Sequence, residues 1–243
     1  MGPLLVRGML TGAVAALAAS VFAYLIGEGP LEGGIAYENG LAGTVGEDGG
    51  AELVTRGVQS TLGLGVALLV YGVVLGGIFA LVYAAVHGRL GRTNPRATAG
   101  VLAGAGYVVI VLVPFLKYPS NPPASSVDAT IGARTTGFVL MLALSAAVAV
   151  GAVVLGRGLA RRIGAWNGVP LAALVYVVVV GVGGALLPSV AETPENFPPS
   201  VLYDFRVATL GIHLVLWTVV GLLFGALVDH DHAVPSVPSV AER

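Results

Sequence analysis

The sequence predicts an all-α membrane protein of six transmembrane helices, and three observations carry that reading. Of its 243 residues, 56% are hydrophobic and 10% charged. With a mean hydropathy of +0.90, the chain is far more apolar than an ordinary soluble domain. The apolar residues fall into six runs of roughly 18 to 29 residues without Asp or Glu, each able to cross the ~30 Å hydrocarbon layer as a helix. The runs are continuous rather than alternating, which excludes barrel strands, so helices are left as the way to pair every backbone group inside lipid. The predicted spans are 3–27, 58–86, 97–115, 137–155, 169–187 and 207–228, a membrane domain over 1–228 followed by a tail at 229–243.

The first span has Arg7 ahead of an apolar stretch and small residues at Ala16, Ala18 and Ala19, as a signal peptide would. Its apolar run continues to Ile26 with no polar region before a cleavage site, so an uncleaved helix is expected. Span two follows a long, Gly-rich, acidic connection holding Glu28, Glu32, Glu38, Glu47, Asp48 and Glu52. Spans three and four flank FLKYPSNPPASSVDATIGARTTG, residues 115–137, and spans five and six flank TPENFPPSVLYDFRVATLG, residues 193–211. Both segments write Pro-x-Asn and then, at once or one residue later, Pro-Pro. Both close on an Arg that leads into the next apolar run. Arg56 in RGVQSTLG, Arg134 in RTTG and Arg206 in RVATLG occupy matching places, which suggests one helical hairpin used three times. Prolines stiffen such a turn and Asn bonds neighbouring backbone groups. Glycines recur four residues apart at Gly8/Gly12, Gly72/Gly76, Gly100/Gly104 and Gly221/Gly225, a spacing that lets helices approach closely.

Eight of the twelve basic residues, Arg7, Arg89, Arg92, Arg96, Arg157, Arg161, Arg162 and Arg243, fall on one side of this topology, with ten of the thirteen acids on the other. The positive-inside rule then places both termini in the cytoplasm of a multi-pass cell-membrane protein. The tail, ending AVPSVPSVAER, is expected to be cytoplasmic and disordered. The lipid bilayer is the expected partner, and no nucleic-acid partner is expected.

An Arg opposite the cytoplasm runs against that rule, so Arg56, Arg134 and Arg206 need a structural reason. They either snorkel to head groups or pair with acids such as Glu28, Glu38, Asp128, Glu195 or Asp204. His213 is the titratable side chain well inside a span, seven residues after Arg206, and reads either as a ligand or gate or as a hydrogen-bonded core residue. Asp229-His230-Asp231-His232 has metal-compatible donors, but adjacent residues on a polar tail seldom close one site. With no cysteine there is no disulfide or thiolate site. The chain has no GxxxxGK[ST], HExxH or GxSxG motif and no carboxylate pair in the membrane, so it is not expected to be an enzyme. No cofactor is firmly implied.

FLKYPSNPP with TIGARTTG, PENFPPSVLYDFRVATLG, and the acidic first connection leading to Arg56 and Gln59 together resemble the CbtA family of probable cobalt transporter subunits, over nearly the whole chain. The resemblance implies uptake of cobalt or a related divalent cation, with Co2+ as substrate, often beside a small one-span partner with a His-rich tail. It carries over no ligand residues. On that reading the acidic connection gathers the cation, and oxygen donors together with His213 replace part of its water shell, the candidates being Glu28, Glu38, Asn121, Asp128, Asn196 and His213. The alternative is a non-transporting scaffold or accessory subunit whose stiff loops bind another chain.

Overall fold

The computed structural model describes residues 2–45, 58, 62–89, 94–126, 128–190 and 193–233, with the side chains of 42–45, 128 and 231–233 excepted. The described residues contain six helical runs long and apolar enough to cross a membrane: Gly2–Leu41, Leu64–Val86, Pro95–Lys117, Ala129–Ile163, Ala165–Leu186 and Pro199–His230. They correspond one to one with the predicted spans. No strand occurs among the described residues. Individual helices are α1 (Gly2–Phe22), α2 (Glu28–Val45), α3 (Leu64–Val86), α4 (Pro95–Gly106), α5 (Val113–Lys117), α6 (Asp128–Ile163), α7 (Ala165–Leu186) and α8 (Pro199–Ala233).

Within the α pattern lie π-helical segments at Ala23–Gly27 and at Tyr107–Leu112. Each precedes a proline inside a continuous run, Pro30 and Pro114. A proline lacks the N–H that the ladder needs, and its ring clashes with the carbonyl four residues earlier, here Ile26 and Ile110. Both carbonyls lie within the π segments, where the widened backbone makes room for the ring. One consequence corrects the sequence reading. The acidic connection after the first span does not begin as a loop, because α2 carries Glu28, Glu32 and Glu38 on helix. At the other end of the chain α8 continues to Ala233, past the predicted boundary at 228.

The contacts divide the chain into two compact units. The first comprises residues 1–24, 54–105 and 212–243. In it α1 crosses α3 on glycines: a Cβ on Gly12 would strike the Gly72 carbonyl oxygen, and one on Gly76 would strike that of Gly8. Thr11, Ala15, Ala16 and Ala19 line the same buried face. The α3–α8 packing is aromatic, with Phe79 against Phe224 at a centroid distance of 5.2 Å and Tyr83 against Phe224 at 5.0 Å. Gly221 and Gly225 of α8 meet Ala103 and Ala99 of α4, and Arg96 pairs with Asp229 at 2.9 Å. Gly100 and Gly104, read from the sequence as a fourth close-packing pair, have nothing within 4 Å of a built Cβ. The alanines one residue earlier make that contact.

The second unit comprises residues 25–53 and 106–211. Here α6 and α7 form a hairpin turned by Gly164 alone, whose φ of 82° suits glycine. Gly168 then lies against the backbone of Leu159 and Ala160, and Arg161 and Arg162 sit in the last turn of α6, where the dipole favours cations. Ser145 is fully buried; its hydroxyl donates to Val109 O at 2.8 Å in the π segment and shares a 2.8 Å bond with the Tyr176 hydroxyl. Leu186 is 82% and Trp166 90% exposed, at opposite ends of α7. Soluble surfaces seldom carry so much apolar area, whereas lipid covers aliphatic side chains and Trp favours the membrane interface.

A cationic cleft built on the PSNPP turn

The α5–α6 connection explains why this stretch is so rich in proline and small polar residues. Tyr118 ends α5, its amide donating to Pro114 O at 2.8 Å. The chain then runs through Pro119, Ser120 and Asn121 to a turn in which Ser125 is fully buried and its hydroxyl donates to Pro122 O at 2.6 Å. Ala124 takes a φ of 57° to complete it. Pro122 and Pro123 are seated against Gly34 of α2, where a Cβ would come within 3.0 Å of Pro122. Tyr118, 4% exposed, crosses to the α7–α8 connection and donates its hydroxyl to Pro188 O at 2.7 Å.

Two of the three predicted arginines converge on this turn. Arg134 donates to Pro119 O. Arg206 donates through Nη2 to Asn121 Oδ1 at 2.9 Å and through Nε to Ser120 O at 3.4 Å. Asn121 also donates to the Ser126 hydroxyl at 3.4 Å. Arg206 thus belongs to one hairpin while its acceptors belong to another. Loop carbonyls and a side-chain amide thus stand among the partners of these two arginines. Arg56 lies outside the described residues.

The second Pro-x-Asn copy does something different. Asn196 is exposed, and its turn is closed by the backbone, Phe197 N to Pro194 O at 3.0 Å. Phe197, the residue inserted before its Pro-Pro pair, is 3% exposed and packs edge-on to Tyr37 of α2 at 4.9 Å. One copy presents an amide to a cation and the other inserts an aromatic ring. Replacing Asn121 by Ala is therefore expected to cost about 1–3 kcal/mol, since the half-buried Arg206 loses its shortest bond. Asn196→Ala should stay within about 0.5 kcal/mol, as exposed substitutions usually do. Unfolding titrations of the two variants in detergent check this, and equal losses would contradict it.

Pro119, Asn121, Arg134 and Arg206, with Lys117, Tyr118, Val190 and Thr193, line a cleft of about 250 Å³. The Lys117 ammonium donates to the Ser189 hydroxyl at 3.2 Å and lies 5.8 Å from the centre of the Tyr118 ring. Sequence reading missed Lys117, although a signal was present: it is the single lysine of the chain.

The other candidate residues lie on α2, α6 and α8. Glu38 is exposed on α2 and Glu28 is half-buried. Asp128 opens α6, but its side chain lies outside the described residues. His213 on α8 is half-buried, its ring edge-on to Tyr71 of α3 at 6.1 Å. Among the described residues there is no group of three or more His, Cys, Asp or Glu that could hold a metal ion.

Six helices long and apolar enough to cross a membrane, with exposed aliphatic surfaces, define a multi-pass membrane protein. The family model for CbtA, described as probable cobalt transporter subunit, matches residues 1–229, and the chain belongs to that family. No match was found among curated proteins or among solved structures. A subunit implies at least one partner chain, and the helices imply lipid.

Proposed function

We propose that the chain is the membrane-spanning subunit of a system for uptake of cobalt or a related divalent cation, working with a small one-span subunit bearing a His-rich tail. The observation that carries this reading is the family match over residues 1–229, which takes in all six apolar helices. Glu32 and Glu38, exposed on α2, give the cation a first electrostatic attraction. His213 is the candidate contact within the spans. Cobalt uptake by cells carrying the chain, with and without the small subunit, tests the reading, and absence of uptake in both would reject it. Replacing His213 by Gln keeps a polar group of similar reach, so uptake should fall while expression holds. Unchanged uptake removes His213 from the path.

A second reading, an accessory subunit that does not itself carry metal, is favoured by the lack of a metal-binding cluster among the described residues. Under it the purified chain alone moves no cobalt in vesicles yet copurifies with its partner. Both readings share a topology with both termini in the cytoplasm, taken from the distribution of basic residues. Cysteines placed at the exposed Arg161 and Glu195 should label from opposite faces of the membrane. Labelling from the same face would reject the topology.

A further inference from the structure

We propose that the cleft at Lys117, Arg134 and Arg206 is a binding site for a small oxyanion of the carboxylate or phosphate class. Three cationic side chains line about 250 Å³, and the described lining contains no carboxylate. The hydrogen-bond partners of Arg206 are neutral oxygens, those of Ser120 and Asn121. Lys117 likewise contacts a hydroxyl and an aromatic face. Such partners aim Arg206 and Lys117 without cancelling their charge. A guanidinium carries five N–H groups, so Arg206 keeps donors beyond the two used here, and an ammonium has three. On the loop between two lining residues, the Ser120 hydroxyl is buried with no hydrogen-bond partner among the described residues.

The dimensions limit the ligand. Pockets for drug-sized molecules run to ~300–1,000 Å³, so this smaller cleft suits a phosphate or a short polycarboxylate. A bare divalent cation would be repelled, which separates this site from any that handles the metal directly. A lipid head group and a free anion offer the same phosphate chemistry, and experiment can distinguish them.

The full chain in maltoside micelles, which contain no phosphate, is dialysed to equilibrium against labelled inorganic phosphate and labelled citrate at low ionic strength. In parallel, retention of phosphatidylglycerol is followed by native mass spectrometry. Saturable binding of either soluble anion near one per chain, weakened at least tenfold by Lys117→Gln and by Arg206→Gln but not by Arg157→Gln, is the expected result for a free anion. Retention of phosphatidylglycerol that Lys117→Gln abolishes supports the same site with a head group as ligand. Arg206→Gln can fail for structural reasons, so the decision rests on Lys117→Gln in protein that elutes as a single species. The proposal is overturned if neither probe binds, or if binding ignores Lys117→Gln. Glu192, beside Thr193 in sequence, lies outside the described residues. Soluble anions that bind Glu192→Gln but not the unaltered chain would also overturn it, by showing that the protein supplies its own anion.

Discussion

Valine in place of Gly76 is expected to prevent α1 from seating on α3 and to leave little folded protein, with alanine there costing about 3 kcal/mol. A Cβ on Gly76 would strike the Gly8 carbonyl oxygen and approach the Gly12 Cα to 2.9 Å. These obstacles are backbone atoms, which cannot rotate away as a flexible side chain can. Gly12 and Gly72 face the same obstruction from each other. Lipid tails are as apolar as the helix surface, so association here depends on close van der Waals contact, and separating the backbones forfeits it. The internal control is Gly100→Ala. Gly100 belongs to an identical four-residue spacing but has nothing within 4 Å of a built Cβ. There the gain in helix propensity, up to ~1 kcal/mol, should leave stability unchanged or raised. Thermal unfolding in micelles distinguishes the two substitutions, and equal tolerance would refute the glycine crossing.

That contrast shows what a sequence can and cannot convey about this fold. Six helices were legible because uninterrupted apolar length is a direct consequence of bilayer thickness. Four glycine pairs were legible as spacing, but spacing does not say which face meets a neighbour, and α4 uses Ala99 and Ala103 instead of Gly100 and Gly104. The helical state of Glu28–Val45 was hidden behind Gly29 and Pro30, residues that usually end a helix. It persists because the π segment before Pro30 absorbs the ring. At the candidate site, Arg134 and Arg206 stood out as charges in an unfavourable compartment, and both donate to the α5–α6 connection. Of their acceptors Asn121 was singled out, whereas Pro119 and Ser120 act through main-chain carbonyls that any residue possesses. The likeness of the two Pro-x-Asn phrases misled for a different reason. One inserted residue, Phe197, gives the second copy a buried ring in place of a working amide.

Alanine at Gly137 is expected to destabilise the second unit by about 2–3 kcal/mol and to open the cationic cleft. Gly137 lies on α6 one turn beyond Arg134 and is buried beneath the Tyr118 ring, where a Cβ would stand 2.6 Å from both Cζ and the hydroxyl oxygen. Tyr118 has little freedom to yield, being 4% exposed and packed with Met141 and Val180. Its hydroxyl is also committed to Pro188 O, the bond that ties the two connections together. Moving the ring therefore breaks that bond and shifts the backbone from Lys117 to Asn121, on which Arg134 and Arg206 depend. Tyr118→Phe tests the bond alone and should cost about 1 kcal/mol. A double-mutant cycle tests the mechanism: in a Tyr118→Ala background the ring is gone, so Gly137→Ala should add less than about 0.5 kcal/mol. If Gly137→Ala cost the same with and without the ring, the link from this glycine through Tyr118 to the cleft would be wrong. If it instead lost its cost in the Ala background while phosphate binding to the single variant stayed intact, Tyr118 would support the fold without shaping the cleft.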